Sequence, residues 1–270
     1  MAAGAHGVSR GLLAYSIGIV VFLAAPIVIV VGVAFTSADF VSFPPTGVSL
    51  RWFKRVISDP EFLGPLWNSA KLGVTSTFVS LALAVPAALA LVRHRFRLGA
   101  AIQAFMLSPL SLPTIILAVG LLFFVARIGL AGTFLALVAG HAVITVPYVL
   151  RTVLAVYSGV NREVEEAATV LGAGPFRAFW HITLPLIMPG VLAGAIFSFL
   201  LSFDEVPVAL LLSAPDTTTL PVSILSYLVY NYDPAVAAVS ALQVAVIFVL
   251  LLVLERTFGL QRVMFTSSNK

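Results

Sequence analysis

Ala14 to Phe35 reads AYSIGIVVFLAAPIVIVVGVAF, a run without a charged residue. A helix of that length spans the hydrocarbon core of a bilayer, which takes about 20 mostly apolar residues. In lipid a backbone must satisfy its own N–H and C=O groups, and a helix does so within one segment. The run follows Arg10 and is longer than the apolar core of a secretory signal. It is expected to be a retained first span.

Further along the chain the pattern repeats. Apolar segments are expected to span at about Asn68–Leu91, Ala100–Ala126, Thr133–Leu154, Leu186–Leu212 and Ala235–Val253. Pro109 and Pro113 should kink or break the third. Between the first two spans, Thr36 to about Trp67 is too polar to cross. Its Arg51-Trp52-Phe53 portion suits a short interfacial helix with the aromatic rings at headgroup level. The expected architecture is all-α and polytopic, with about six transmembrane helices in a single domain over residues 1–270.

Composition agrees. Of 270 residues, 60% are hydrophobic and 10% charged, and the mean hydropathy is +1.10. A soluble domain carries about 25% charged residues, so this chain lacks the polar surface to stay in water. There is no cysteine, which excludes disulfides and cysteine-ligated metals. His6, His94, His141 and His181 show no metal-ligand spacing. The net charge of +4 reads as residues flanking spans, not as a nucleic-acid surface. With the N-terminus placed in the cytoplasm, ten of the fifteen basic residues fall inside, among them Arg93, Arg95, Arg97, Arg151, Arg162, Arg177, Arg262 and Lys270. Arg51, Lys54, Arg55, Lys71 and Arg127 fall outside. That bias obeys the positive-inside rule and puts both termini in the cytoplasm.

The segment from about 157 to 185 is mixed and charged. Asn161 is a suitable helix N-cap, and Glu163, Glu165 and Glu166 complement the helix dipole in the first turns. Val164, Ala168 and Leu171 form an apolar stripe at helical spacing. Gly172 suits the residue after a helix, where positive φ is needed. Pro175 can open the next helix, which presents Phe176, Phe179 and Trp180. A helix–turn–helix with exposed apolar and acidic groups calls for a protein partner. The alternative is an amphipathic connector resting on lipid, whose anionic headgroups would repel the acids.

The spacing Glu166-Ala167-Ala168, three residues, Gly172, nine residues, Ile182, one residue, Leu184-Pro185 resembles the EAA loop of ABC importer permeases at every defined position. The resemblance implies the type I importer permease fold and a bacterial cytoplasmic-membrane location. It also implies docking of that loop on a cytoplasmic ATPase subunit, with Glu166 in the contact and Gly172 in the turn. The expected partners are a second permease, two ATPase subunits that bind the ATP and Mg²⁺, an extracytoplasmic substrate-binding protein and membrane lipid. Ser49-Leu50-Arg51-Trp52-Phe53, Asn68-Ser69, His141 with Pro147-Tyr148, and Leu201-Ser202-Phe203-Asp204-Glu205-Val206 are similar to the second permease of spermidine/putrescine-type systems.

Asp204 and Glu205 are adjacent acids deep in an apolar segment, where a charge costs about 2.5–3.5 kcal/mol on insertion scales. They are candidates to meet a cationic substrate, with His141 and Tyr148 as further candidates along the path. On one helix they would stand about 100° apart, so one would face the path and the other a neighbour. A structural role for the pair, and an interhelical hydrogen bond for His141, are the alternatives. The sequence holds no phosphate-binding loop and no nucleophile elbow, so neither catalytic residues nor a cofactor are expected in this chain. An ion-coupled secondary transporter would also use intramembrane acids, but it leaves the loop motif unexplained. Other small solutes, such as an opine, an aminophosphonate or an amino acid, remain open as substrates.

Overall fold

The computed structural model describes residues 10–94 and 97–258. His6, Arg95, Arg262 and Lys270 lie outside the described residues. In chain order the helices are α1 (Arg10–Ala34), α2 (Arg51–Ser58), α3 (Pro60–Arg93), α4 (Gly99–Leu107), α5 (Thr114–Arg127), α6 (Phe134–Tyr157), α7 (Arg162–Val170), α8 (Pro175–Ala178), α9 (Leu184–Asp204), α10 (Pro207–Leu212), α11 (Leu220–Tyr230) and α12 (Ala235–Phe258). A 3₁₀ turn, Ser108–Ser111, follows α4, and a π-helical turn, Phe179–Thr183, joins α8 to α9.

Four helical segments are long and apolar enough to cross a membrane: α1, α3, α6 and the continuous stretch Pro175–Asp204. The expected third span is broken. Helices α4 and α5 qualify only as a pair and bend by 109°. Pro109 and Pro113 lie in that bend, where each removes a backbone donor and Pro113 holds its own backbone extended ahead of α5. The expected sixth span is α12, apolar over Ala235–Val249. Among the described residues, length and apolarity thus give four continuous spans and one broken crossing, and the apolar stretch of α12 is shorter than the expected sixth span.

The fifth span ends earlier than expected. It stops at Asp204, and Glu205 is extended. Pro207 then starts α10. A proline at that place would collide with the carbonyl four residues back in a continued helix, so the chain restarts with Pro207 in its first turn. Asp204 and Glu205 therefore do not share a helix, which corrects the expected 100° separation.

The chain packs as two compact units. The first joins the segment up to Leu63 with Ser226–Leu251. Here Trp52 is buried within the unit. Its indole N–H donates to the Ala38 carbonyl at 3.2 Å, and the Arg51 guanidinium lies 4.5 Å over its ring. Arg51 also pairs with Asp39. Asp233 accepts from Arg55 and from the Tyr227 hydroxyl, each at 2.9 Å, and from the Ala235 amide at the start of α12. Helix α1 keeps most of its apolar side chains exposed, as a face for lipid or for another membrane subunit would.

The second unit holds Gly64–Leu225, and α6 is its axis. Two-thirds of the apolar stretch of α6 is buried (67%), against 11% for α1. Lipid tails are as apolar as leucine, so bundles in a bilayer gain from close van der Waals packing and interhelical hydrogen bonds. Both occur here. Gly190 and Gly194 let α9 approach α6 closely: a Cβ on Gly190 would stand 2.8 Å from the Thr152 carbonyl oxygen, and one on Gly194 3.0 Å from the Val149 Cα. The Ser80 and Thr145 hydroxyls meet at 2.6 Å, and His141 Nδ1 meets the Ser202 hydroxyl at 2.8 Å. These bonds tie α3 and α9 to α6. Aliphatic clusters fill the space on either side, Leu137, Val208 and Leu212 in one and Val149, Leu150 and Ile187 in the other.

The α6–α9 contact makes a prediction. Gly194→Val must push the two helices apart, at a cost of about 1–3 kcal/mol. Gly32→Ala, where an added Cβ meets nothing within 4 Å, serves as control. Thermal unfolding in detergent should show a lower midpoint for Gly194→Val alone. An unchanged midpoint would contradict the close approach.

Candidate functional site

The loop after α6 is built largely as its residues suggest. The Asn161 side chain accepts from the Glu163 amide at 3.0 Å and caps α7. Gly172 has φ +87°, in the left-handed region. The Gly172 amide donates to the Thr169 carbonyl and the Ala173 amide to the Ala168 carbonyl, both at 3.0 Å. That pairing is the Schellman closure of a helix. Gly174 then caps α8, with Pro175 in its first turn. The π turn that follows has a local cause. Pro185 can donate no backbone hydrogen bond, and its ring crowds the carbonyl four residues back, which widens the helix just before it.

The expected apolar stripe does not hold together. Ala168 is buried, but Val164 is exposed and Leu171 is 87% exposed. The helix ends before Leu171 can complete the stripe, and the turn at Gly172 leads the chain away. Val170, Phe176 and Trp180 are exposed as well, and the Trp180 ring packs against those of Phe176 and Phe179 at 6.0 and 5.4 Å. Glu166 and Ala167 lie on the exposed side of α7, and Glu166 pairs with Arg162 at 2.8 Å. Ile182 and Leu184 are half-buried, whereas Pro185 is exposed. The loop thus presents an apolar and acidic surface to whatever lies beyond the bundle.

Sequence reasoning missed what holds this loop. Glu165 turns away from the exposed side. One carboxylate oxygen accepts from Arg93 Nε at 2.7 Å, and the other from the Tyr157 hydroxyl at 3.0 Å and the Thr183 hydroxyl at 2.8 Å. Arg93 also reaches the Tyr157 hydroxyl at 3.0 Å and the Val160 carbonyl at 3.2 Å, and its guanidinium lies 4.3 Å over the Tyr157 ring. Burial pushes the Glu165 carboxyl up, but the bonds from Thr183, Arg93 and Tyr157 outweigh it and hold the group below the usual carboxylate range. A signal existed in the sequence: Arg93 ends the second span and Tyr157 the fourth. Nothing local says that one glutamate joins them.

The remaining candidates part company. His141 is fully buried on α6 and bonded to Ser202, so it forms an interhelical contact. Glu205 is buried, and its Oε2 accepts from the Val208 and Ala209 amides at 2.8 and 3.2 Å, capping α10. It shares a cavity of about 140 Å³ with Tyr148, Thr114, Leu117, Ile144 and Leu201. Asp204 is exposed at the end of α9. Among the described residues no group of three or more histidine and acidic side chains is placed to hold a metal ion.

The Glu165 linkage carries a pH dependence of known sign. A carboxylate held below its unfolded value stabilises the native loop above that unfolded value, and the benefit disappears as pH falls through the folded one. Protection of the α7 amides, taken as hydrogen exchange relative to the intrinsic rate at each pH, should be steady through neutral and mildly acidic pH and fall only beneath the usual carboxylate range. Glu165→Gln should exchange faster throughout and lack that acid transition. Identical pH profiles for the two proteins would contradict the linkage.

Comparison with known proteins places this arrangement. Residues 79–260 match the family model described as "Binding-protein-dependent transport system inner membrane component". The putrescine transport system permease protein PotI of Escherichia coli K12 is 32% identical over 229 residues, 82% of this chain and 81% of that protein. The molybdenum transport system permease protein ModB of Mycobacterium tuberculosis is 32% identical over 237 residues, 81% of this chain and 90% of that one. Among solved structures, a bacterial ABC transporter involved in import of the polysaccharide alginate superposes with a TM-score of 0.71 at 16% identity, covering 96% of this chain and all of the other. That last likeness is one of fold. The chain belongs to the family of binding-protein-dependent transport system inner membrane components and is a permease subunit of an ABC importer.

Proposed function

We propose that the chain forms half of the membrane pathway for a small organic cation, a polyamine of the spermidine or putrescine class. The observation that carries this reading is the acid pair Asp204 and Glu205 at the break between α9 and α10, in a chain with only eleven acidic residues. Ammonium groups complement carboxylates that lipid does not tolerate alone. Tyr148, lining the same cavity as Glu205, offers a ring face of the kind that attracts such cations. His141 supports the path from behind, through Ser202. PotI, at 32% identity, transports putrescine by its name.

The whole chain acts as one permease domain beside a second permease, which the resemblance favours as a different chain. Two ATPase subunits dock on the cytoplasmic loop through Glu166, Ala167, Ala168, Gly172, Ile182, Leu184 and Pro185. They bind and hydrolyse the ATP with Mg²⁺, so this chain is not itself an enzyme. The exposed Val170, Leu171 and Trp180 support a protein partner there. A soluble binding protein delivers substrate at the opposite face. One alginate transporter of this fold has been solved with its periplasmic protein, which supports that arrangement. The excess of basic residues on the loop side supports cytoplasmic termini.

A second reading has a specific observation behind it. ModB is as similar as PotI and serves molybdenum transport by its name, which suggests an oxyanion. Two acids at the break would repel one, and this favours the cation.

The test is uptake of labelled spermidine and putrescine by the complete transporter in cells lacking their own polyamine import. Asp204→Asn, at normal membrane levels, should reduce uptake about tenfold, equivalent to about 1.4 kcal/mol of lost interaction with the cation. Accumulation of molybdate in place of polyamines, or uptake indifferent to Asp204→Asn, would refute the cation reading.

A further inference from the structure

The residue just before the Glu166-Ala167-Ala168 run has an unusual set of partners. Glu166 projects outward to Arg162, while Glu165, its neighbour, accepts from three separate parts of the bundle. Arg93 ends α3, Tyr157 ends α6, and Thr183 closes the π turn that leads into α9. The Glu165 and Arg93 side chains are each only 17% exposed. Hydrogen bonds to a charged group in such a place are short and strong, and removing one partner costs more than at a free surface. Van der Waals contact alone gives α7 little hold, since Ala168 is its only buried residue. Helix α7 is held to the bundle chiefly through one carboxylate.

We propose that Glu165 is the positioning residue that transmits motion of the loop to the membrane helices. Through Arg93, Tyr157 and Thr183 it makes α7 move as one body with the inner ends of α3, α6 and α9. The proposal rests on the reading of the α7–α8 loop as the ATPase-docking element, and it assigns to Glu165 a task separate from docking. The outer side of α7 meets the ATPase, and the inner side, through this carboxylate, pulls on the spans. Cutting that joint leaves the docking surface in place but breaks the mechanical path behind it.

The test uses the complete transporter in lipid vesicles, with three readouts: ATPase subunit retained on purification, ATP hydrolysed, and solute imported. Glu165→Gln preserves shape and removes the charge that holds Arg93. It should keep the ATPase bound and hydrolysing, while solute imported per ATP falls about tenfold, within the range of measured coupling between sites. Tyr157→Phe and Thr183→Val each remove one donor. They should lower the same ratio by less, and they serve if Glu165→Gln does not reach the membrane. An unchanged ratio in all three variants overturns the proposal. So does loss of the ATPase subunit from Glu165→Gln, which would make Glu165 part of the docking surface. Failure of the underlying reading is distinguishable: Leu171→Asp, on the exposed side, would then leave the ATPase bound.

Discussion

The carboxylate of Glu165 is the constraint from which the loop end of this bundle is organised. A charged group at the edge of an apolar assembly must be met by donors, and here the donors come from three elements far apart in sequence. Meeting them joins the end of α3, the end of α6 and the turn that leads into α9. Arg93 and Tyr157 also bond each other, so the site is a closed network in which both Glu165 oxygens have partners. Such networks specify one arrangement when complete and are costly when broken. The turn geometry has local causes and serves the same contact. Gly172 with its Schellman closure, and Pro175 at the start of α8, return the chain so that Thr183 lies beside Glu165.

Further into the bundle the packing uses small residues and hydroxyls beside the aliphatic clusters. Helix α6 packs against α3 and α9 with the help of glycine approaches and single hydrogen bonds such as Ser80 to Thr145 and His141 to Ser202. A bilayer supplies no hydrophobic driving force between helices, so close fit and paired polar atoms do the holding. The far end of α9 differs. There Pro207 forces a break, and Glu205 turns to cap α10 while Asp204 stays exposed. A helix broken beside an acid pair, lining a cavity with Tyr148, is irregular backbone of the sort membrane proteins tolerate only where protein or a water-filled path surrounds it.

Much of this was legible in the residues. Long apolar runs announced the spans, because lipid admits little else. Asn161, Gly172 and Pro175 announced the caps and turns of the loop, because those positions need a side-chain acceptor, a positive φ and a missing donor. The proline pair announced the broken third span. What escaped was of two kinds. The end of the fifth span at Asp204 had its signal in Pro207, but an apolar run through Leu212 outweighed it. The role of Glu165 had no local signal, since its partners lie 72, 8 and 18 residues away. Periodicity describes which face of a helix is apolar. It does not say which of three neighbouring glutamates turns inward, nor that Trp52 would be buried against the loop around Ala38.

The proposed role of Glu165 requires that the loop and the adjoining ends of α3, α6 and α9 behave as one body, with the proposed ATPase contact on the outside of α7. The most direct measurement is electron cryo-microscopy of the assembled transporter, nucleotide-free and ATP-bound. The account predicts that α7 and α8 sit against the ATPase subunit in both states. It also predicts that the Glu165 carboxylate keeps Arg93, Tyr157 and Thr183 within hydrogen-bonding distance while the helices behind it shift. Separation of Glu165 from these partners in either state, or an ATPase seated elsewhere on the chain, would contradict it.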